Sequence, residues 1–160
     1  MTQDKTSITH AIRELKEKGA NFILHYYKYE EKGGTEVSSR ELEVDEYMVI
    51  KTLVMEDDQG RPFIILMHGN KSVSTKNLAR LRKVKSVKPC EPEDAHRHTG
   101  YMVGGTSPFG IRKPLPVYIE ASILDLPKIY INAGKKGLLA EMSPVDLRKI
   151  LNPTPVNVAT

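Results

Sequence analysis

The sequence predicts a single domain built on a mixed, twisted β-sheet with helices on its flanks. Three observations lead there. The chain has 160 residues, 39% of them hydrophobic, enough for one substantial core and too few for two ordinary domains. Segments of helical and strand periodicity interleave irregularly along it. No internal repeat or low-complexity linker divides them.

The elements follow in order. Ser7 is placed to cap a helix whose Ile8, Ala11, Ile12 and Leu15 share one face, and Gly19 stands where a helix end favours glycine. Phe22 to Tyr29 is rich in aromatic and β-branched residues and reads as a strand, Thr35 to Leu42 as a short helix, and Tyr47 to Met55 as a second strand. Asp57-Asp58-Gln59-Gly60 is a turn into Pro62 to His68, which predicts an antiparallel pair. Ser74 opens a helix expected to turn Leu78 and Leu81 inward. A short acidic helix, Glu91 to Arg97, follows Pro89, and then a glycine-rich segment from Thr99 to Gly110. Extended segments are expected around Val117 to Glu120, Lys128 to Asn132 and Leu138 to Met142. Ser143-Pro144 starts a last helix, with proline at a position it tolerates. Residues 152–160 read as a loose tail after a domain spanning 1–151.

Composition removes several function classes. The longest apolar run, Phe63 to Met67, has five residues, against roughly 20 for a membrane-spanning helix. Met1 to Ile12 lacks the apolar region of a signal peptide. Cys90 is the one cysteine, which leaves no internal disulfide and no cysteine-rich zinc site. A cytosolic protein is the expectation. Charge is uneven: residues 1–70 carry 13 acidic and 9 basic side chains, residues 71–160 carry 7 and 15. Lys71, Lys76, Arg80, Arg82, Lys83, Lys85 and Lys88 follow one another with no acid between them, which reads as a polyanion footprint or as a solvated helix face.

Four features carry chemistry. The segment Thr99-Gly100-Tyr101-Met102-Val103-Gly104-Gly105-Thr106-Ser107-Pro108-Phe109-Gly110 has four glycines in twelve residues. Such a backbone turns sharply and can aim free N–H groups at negative charge, although a tight structural loop uses glycine in the same way. Ser107 with His96 or His98 as base suggests a serine hydrolase, but Pro108 follows it. A nucleophile elbow needs the next residue's N–H, which proline lacks. His96, His98 and Cys90 as metal ligands match no standard zinc spacing, and no metal or cofactor is expected. Lys51 lies inside the apolar strand Met48 to Val54 on the face of Val49 and Leu53. There it either snorkels from an edge or reaches a polar cleft where its ammonium holds a phosphate or carbonyl oxygen.

Lys51-Thr52-Leu53, Ser74-Thr75-Lys76, the segment Thr99 to Gly110, and Gly134-Lys135-Lys136-Gly137-Leu138 occur in the order and approximate spacing of YbaK/EbsC proteins. From about Phe22 to Ile150 the chain resembles this family, whose members are related to the editing domain inserted in prolyl-tRNA synthetases. The resemblance implies a compact α+β domain with a mixed, strongly curved sheet and a cleft for the aminoacylated 3′ end of tRNA. It implies hydrolysis in trans of the ester of a mischarged tRNA, Cys-tRNA(Pro) or Cys-tRNA first and Ala-tRNA(Pro) as an alternative. Prolyl-tRNA synthetase is a candidate partner, and a non-catalytic acceptor-stem binder is the rival. By the same resemblance Lys51 holds a phosphate or the carbonyl region, and Gly104, Gly105 and Thr106 offer N–H groups to the ester oxygen. Tyr27, Thr52, Thr99, Gly100, Ser107, Pro108, Phe109 and Gly110 bind the substrate, with Phe109 and Gly110 as the pocket floor. With tRNA as the substrate, the basic side chains Lys71, Lys76, Arg80, Arg82, Lys83 and Lys136 are the expected tRNA contacts. No side-chain nucleophile is implied; the substrate's own thiol or an oriented water attacks. One position departs: Leu139 stands where cysteine-specific members usually have aspartate, and Glu141 is two residues further on.

Overall fold

The computed structural model describes residues 8–160. Helix α1 (His10–Glu17) buries Ala11, Ile12 and Leu15. The expected cap, Ser7, lies outside the described residues; the hydroxyl of Thr9 takes the cap, accepting from the N–H of Ile12 at 3.0 Å. Ile8 is exposed rather than inward. Strand β1 (Phe22–Tyr26) is shorter than expected. Its partner runs out at Leu138 opposite Tyr26, and Tyr27 makes one further bond to the carbonyl of Gly137. Helix α2 (Gly34–Leu42) and a 3-10 turn (Glu46–Met48) lead into β2 (Val49–Asp57) and β3 (Pro62–His68). The antiparallel pairing runs from Ile50 with His68 to Glu56 with Pro62.

Helix α3 (Thr75–Arg82) is capped by Ser74. It buries Leu78 and Ala79, whereas Leu81 is 53% exposed, contrary to expectation. The inward place one turn on from Leu78 goes to Arg82, whose guanidinium lies 4.1 Å over the ring of Phe63. Then come β4 (Val87–Pro89), α4 (Pro92–Thr99), β5 (Val117–Glu120), β6 (Ile129–Asn132), β7 (Leu138–Met142) and α5 (Pro144–Leu151). The segment read as a loose tail forms β8 (Thr154–Val156), parallel to β5. Its apolar residues explain the correction: Val156 and Val158 are 5% and 1% exposed, and Ser72 and Thr160 exchange main-chain bonds.

The strands make one mixed sheet in the order β1-β7-β6-β2-β3-β5-β8, with β4 on β2. Strand β3 lies inside the sheet between β2 and β5, and the apolar run Phe63 to Met67 is its sequence mark, because both faces are buried. Ile64 and Leu66 face a core that includes α1 and Leu147 of α5. Phe63, Ile65 and Met67 face Leu78 and Ala79 of α3 with Val156 and Val158. Among the described residues no helix is long and apolar enough to cross a membrane.

Candidate functional site

Strand β2 has β3 along one side and two strands in succession on the other. Its start pairs in parallel with β6, through Val49 with Tyr130 and Ile50 with Ile131. Its end pairs antiparallel with β4, beginning at Met55 with Pro89. Between them, on that side, residues 51–53 have no strand beside them among the described residues, and a cavity of about 740 Å³ opens there. Lys51 and Thr52 line it, facing Tyr27, Val103, Gly104, Thr106, Asn132 and Leu139.

Lys51 and the bend of the glycine-rich segment therefore face one hollow. The Lys51 Nζ donates to the carbonyl of Lys71, which ties the side chain to the loop after β3. Half-burial pushes the Lys51 pKa below the usual lysine value, with Glu46 pulling the other way. The hydroxyl of Thr52 is buried and has no hydrogen-bond partner among the described residues. At the bend, Gly104 has φ +87°, and a Cβ there would lie 2.3 Å from the Tyr29 hydroxyl, so only glycine fits. Among the described residues the N–H groups of Gly104 and Thr106 have no protein acceptor. That of Gly105 donates to Met102 at 2.9 Å, and Gly105 is not in the wall. Gly105 is thereby removed from the expected row of free amides; a tight turn uses its own N–H to close itself.

The rest of the glycine-rich segment is anchorage rather than wall. Thr99 is 2% exposed and bonds the carbonyl of Ala95, Gly100 closes α4, and Pro108 is buried. Ser107 and Phe109 are fully buried, with the Ser107 hydroxyl accepting from the N–H of Phe109. Gly110 donates to Glu14 of α1. None of Thr99, Gly100, Ser107, Pro108, Phe109 or Gly110 lines the cavity. The expectation that Phe109 and Gly110 form the pocket floor is corrected, because the core takes the phenyl ring and α1 takes the glycine. Ser107 is equally out of reach of a ligand.

Asn132, which sequence reasoning missed, joins the walls. Its Nδ2 donates to the carbonyls of Gly104 and Lys135, and its Oδ1 accepts from the N–H groups of Gly134 and Lys135. One carboxamide thus locks both glycine-containing loops. Its only sequence signal is a polar residue closing an apolar strand. Tyr27 lines the cavity; burial and then the neighbouring Tyr29 push its pKa up, so it stays a neutral phenol.

Leu139 stands in the wall at 4% exposure. Glu141 does not replace the missing aspartate, because its carboxylate lies 2.8 Å from His25 and 3.6 Å from Lys128 and is outside the lining. The hydrogen bond from His25 holds its pKa below the usual carboxylate range. Cys90 is in the wall, but burial and then Glu56 push its thiol up to about 12, leaving a weak nucleophile and a poor metal ligand. His98 is pushed down by burial and by Lys113 and Arg97. Among the described residues no group of three His, Cys, Asp or Glu side chains is placed to hold a metal ion.

The expected tRNA-binding cations divide. Lys71, Lys76, Arg80 and Lys83 are exposed. Lys76 and Arg80 line a second hollow of about 380 Å³ together with Lys85. Arg82 does not belong with them: its side chain is 13% exposed, 3.7 Å from Asp57, and donates to the hydroxyl of Tyr118. Lys136 is not in the cavity wall; its ammonium lies 3.1 Å from Glu31 and 5.2 Å from the ring centre of Tyr29, which are.

A sheet split around a lysine-floored cavity, with a glycine bend opposite, meets its match in known proteins. The chain belongs to the aminoacyl-tRNA editing domain family, which it matches over residues 30–150. It is 27% identical over 152 residues to the “Putative Cys-tRNA(Pro)/Cys-tRNA(Cys) deacylase EbsC” of Enterococcus faecalis, covering 94% of this chain and 91% of that one. Its fold is that of the crystal structure of hypothetical protein APE2540, at TM-score 0.86 and 22% identity over 95% of this chain and all of that one. The crystal structure of “a putative trans-editing enzyme for prolyl tRNA synthetase” has TM-score 0.81 and 19% identity, covering 96% of this chain and 99% of that one.

Proposed function

We propose that the protein is an aminoacyl-tRNA deacylase acting in trans, which hydrolyses the ester between a wrongly attached small amino acid and the terminal adenosine. The observation that carries this reading is that Lys51 lines one cavity with Gly104 and Thr106, whose N–H groups have no acceptor among the described residues. In the mechanism, Lys51 binds the terminal phosphate or the carbonyl region and fixes the ester in place. The Gly104 and Thr106 amides stabilise the negative charge that grows on the carbonyl oxygen during attack. The attacking group is a water when the side chain carries no nucleophile, as with alanine, and the substrate's own thiol only when it is cysteine, so no acyl-enzyme forms. The Cys90 thiol, held protonated, supports that choice.

The substrate is a small aminoacyl group. With Leu139 in the wall and Glu141 paired elsewhere, an uncharged apolar side chain such as that of alanine is favoured over one needing a carboxylate. This same pairing is also what favours the rival reading, a tRNA binder without turnover. Purified protein mixed with labelled Ala-tRNA(Pro), Cys-tRNA(Pro) and correctly charged controls tests both. Loss of label from a mischarged tRNA alone is expected; stable label on all of them makes the protein a binder.

A further inference from the structure

The cavity is larger than the group whose ester it is proposed to cut. A small aminoacyl side chain fills a fraction of about 740 Å³, a volume that accommodates a whole drug-sized ligand. Its two ends also differ in chemistry. Around Gly104 and Thr106 lie the phenol of Tyr27 and the carboxamide of Asn132. Past Thr52 the lining is Leu53, Met55, Pro89, Cys90, Pro92 and Ala95, with no charged side chain among them.

Between the two ends the sheet leaves main-chain groups unspent. The carbonyl of Val54 accepts from the N–H of Cys90 at 3.0 Å, so the polar groups of Val54 face β4. Alternation along the strand turns the N–H and C=O of Thr52, two residues earlier, the same way. Pairing with β6 stops at Ile50. Continuing the β4 register, in which Met55 meets Pro89, brings Pro92 opposite Thr52, and proline has no N–H to give. Among the described residues the buried hydroxyl of Thr52 has no partner either. A donor and an acceptor on one residue thus face a gap the width of a missing strand segment, with apolar side chains from both faces of β2 beside it.

We propose that this end is an adenine subsite. The base of the 3′-terminal adenosine enters edge-on, where the missing strand would lie, and its rings rest against the apolar lining. The Thr52 carbonyl accepts from the exocyclic amine N6, and the Thr52 N–H donates to ring N1. This assignment rests on the deacylase reading, which brings that nucleotide here, and it places the aminoacyl group at the Gly104 end. Inosine presents the reverse pattern, an acceptor at O6 and a donor at N1, and so meets like against like.

The test uses ¹⁵N-labelled protein titrated with adenosine 5′-monophosphate and inosine 5′-monophosphate. The adenine nucleotide is expected to bind about tenfold more tightly, the selectivity of one paired edge contact, and to shift the amides of Thr52, Leu53 and Ala95. Ala95→Phe, with melting unchanged, is expected to lose about tenfold in affinity for the adenine nucleotide as the lobe fills. Equal affinity for the two nucleotides, no binding of either, or shifts confined to Tyr27, Gly104 and Leu139 would overturn the subsite. A protein that hydrolyses mischarged tRNA but treats both nucleotides alike refutes the subsite alone. One that prefers the adenine nucleotide and never hydrolyses refutes the deacylase reading alone.

Discussion

At Lys51 burial and charge pull in opposite directions. Half-burial lowers the pKa of its ammonium, Glu46 raises it, and the carbonyl of Lys71 is its acceptor. Lys51→Ala is expected to lower deacylation about a hundredfold without altering the circular dichroism spectrum. The pH dependence follows from the sign of the shift. Activity that needs the cation falls as pH rises through a value below the ordinary lysine pKa, and Lys51→Arg removes that alkaline limb from the rate profile. Lys51 was legible in the sequence because a charge interrupts an apolar strand. Its acceptor was not, since Lys71 is twenty residues away on a loop and periodicity carries no information about it. Arg82 was misread for the opposite reason. In a run of seven cations nothing local marks the one that turns inward over Phe63.

The β2–β3 hairpin depends on Asp57, which is 2% exposed. Burial alone would raise its pKa, but the N–H groups of Arg61 and Gln59 and the Arg61 guanidinium outweigh it, and the carboxyl sits below its usual range. Asp57→Ala is expected to cost about 3 kcal/mol in urea unfolding, since Arg82 then loses its buried counter-ion. A depressed folded pKa gives stability that is present above the unfolded value and lost as pH falls through the folded one. The gap between wild type and variant should therefore begin to narrow as pH falls below about 4 and go on closing through the lower folded value. The turn itself was readable from Asp57-Asp58-Gln59-Gly60, a cluster of turn formers between two apolar runs. The glycine-rich segment was readable as a bend but not in its division of labour. Which of its residues face a ligand depends on α1 and the core claiming Gly110 and Phe109 from behind, and those neighbours are distant in sequence.

Across the whole molecule, the exposed cations of α3 and its flanks lie on an element separate from the cavity floor. Replacing Lys76, Arg80 and Lys83 with glutamate is expected to weaken tRNA binding and to flatten its log–log salt dependence by about one unit for each phosphate no longer neutralised, with little change in melting temperature. Arg82→Glu should instead lower the melting temperature before it touches RNA affinity. Deleting residues 153–160 exposes the surfaces that Val156 and Val158 cover, and should lower the melting temperature by roughly 10 °C. The mixed sheet was foreseeable from interleaved periodicities. Its last strand was not, because PTPVNVAT has a weak pattern and gains its place only through β5 and the Ser72 loop. That final pairing bears on the cavity. Thr160 and Ser72 clasp each other next to Lys71, whose carbonyl steadies the Lys51 ammonium. Thr160→Pro, which removes the N–H that the Ser72 carbonyl accepts, should loosen that clasp and with it the loop that holds the Lys71 carbonyl over the cavity.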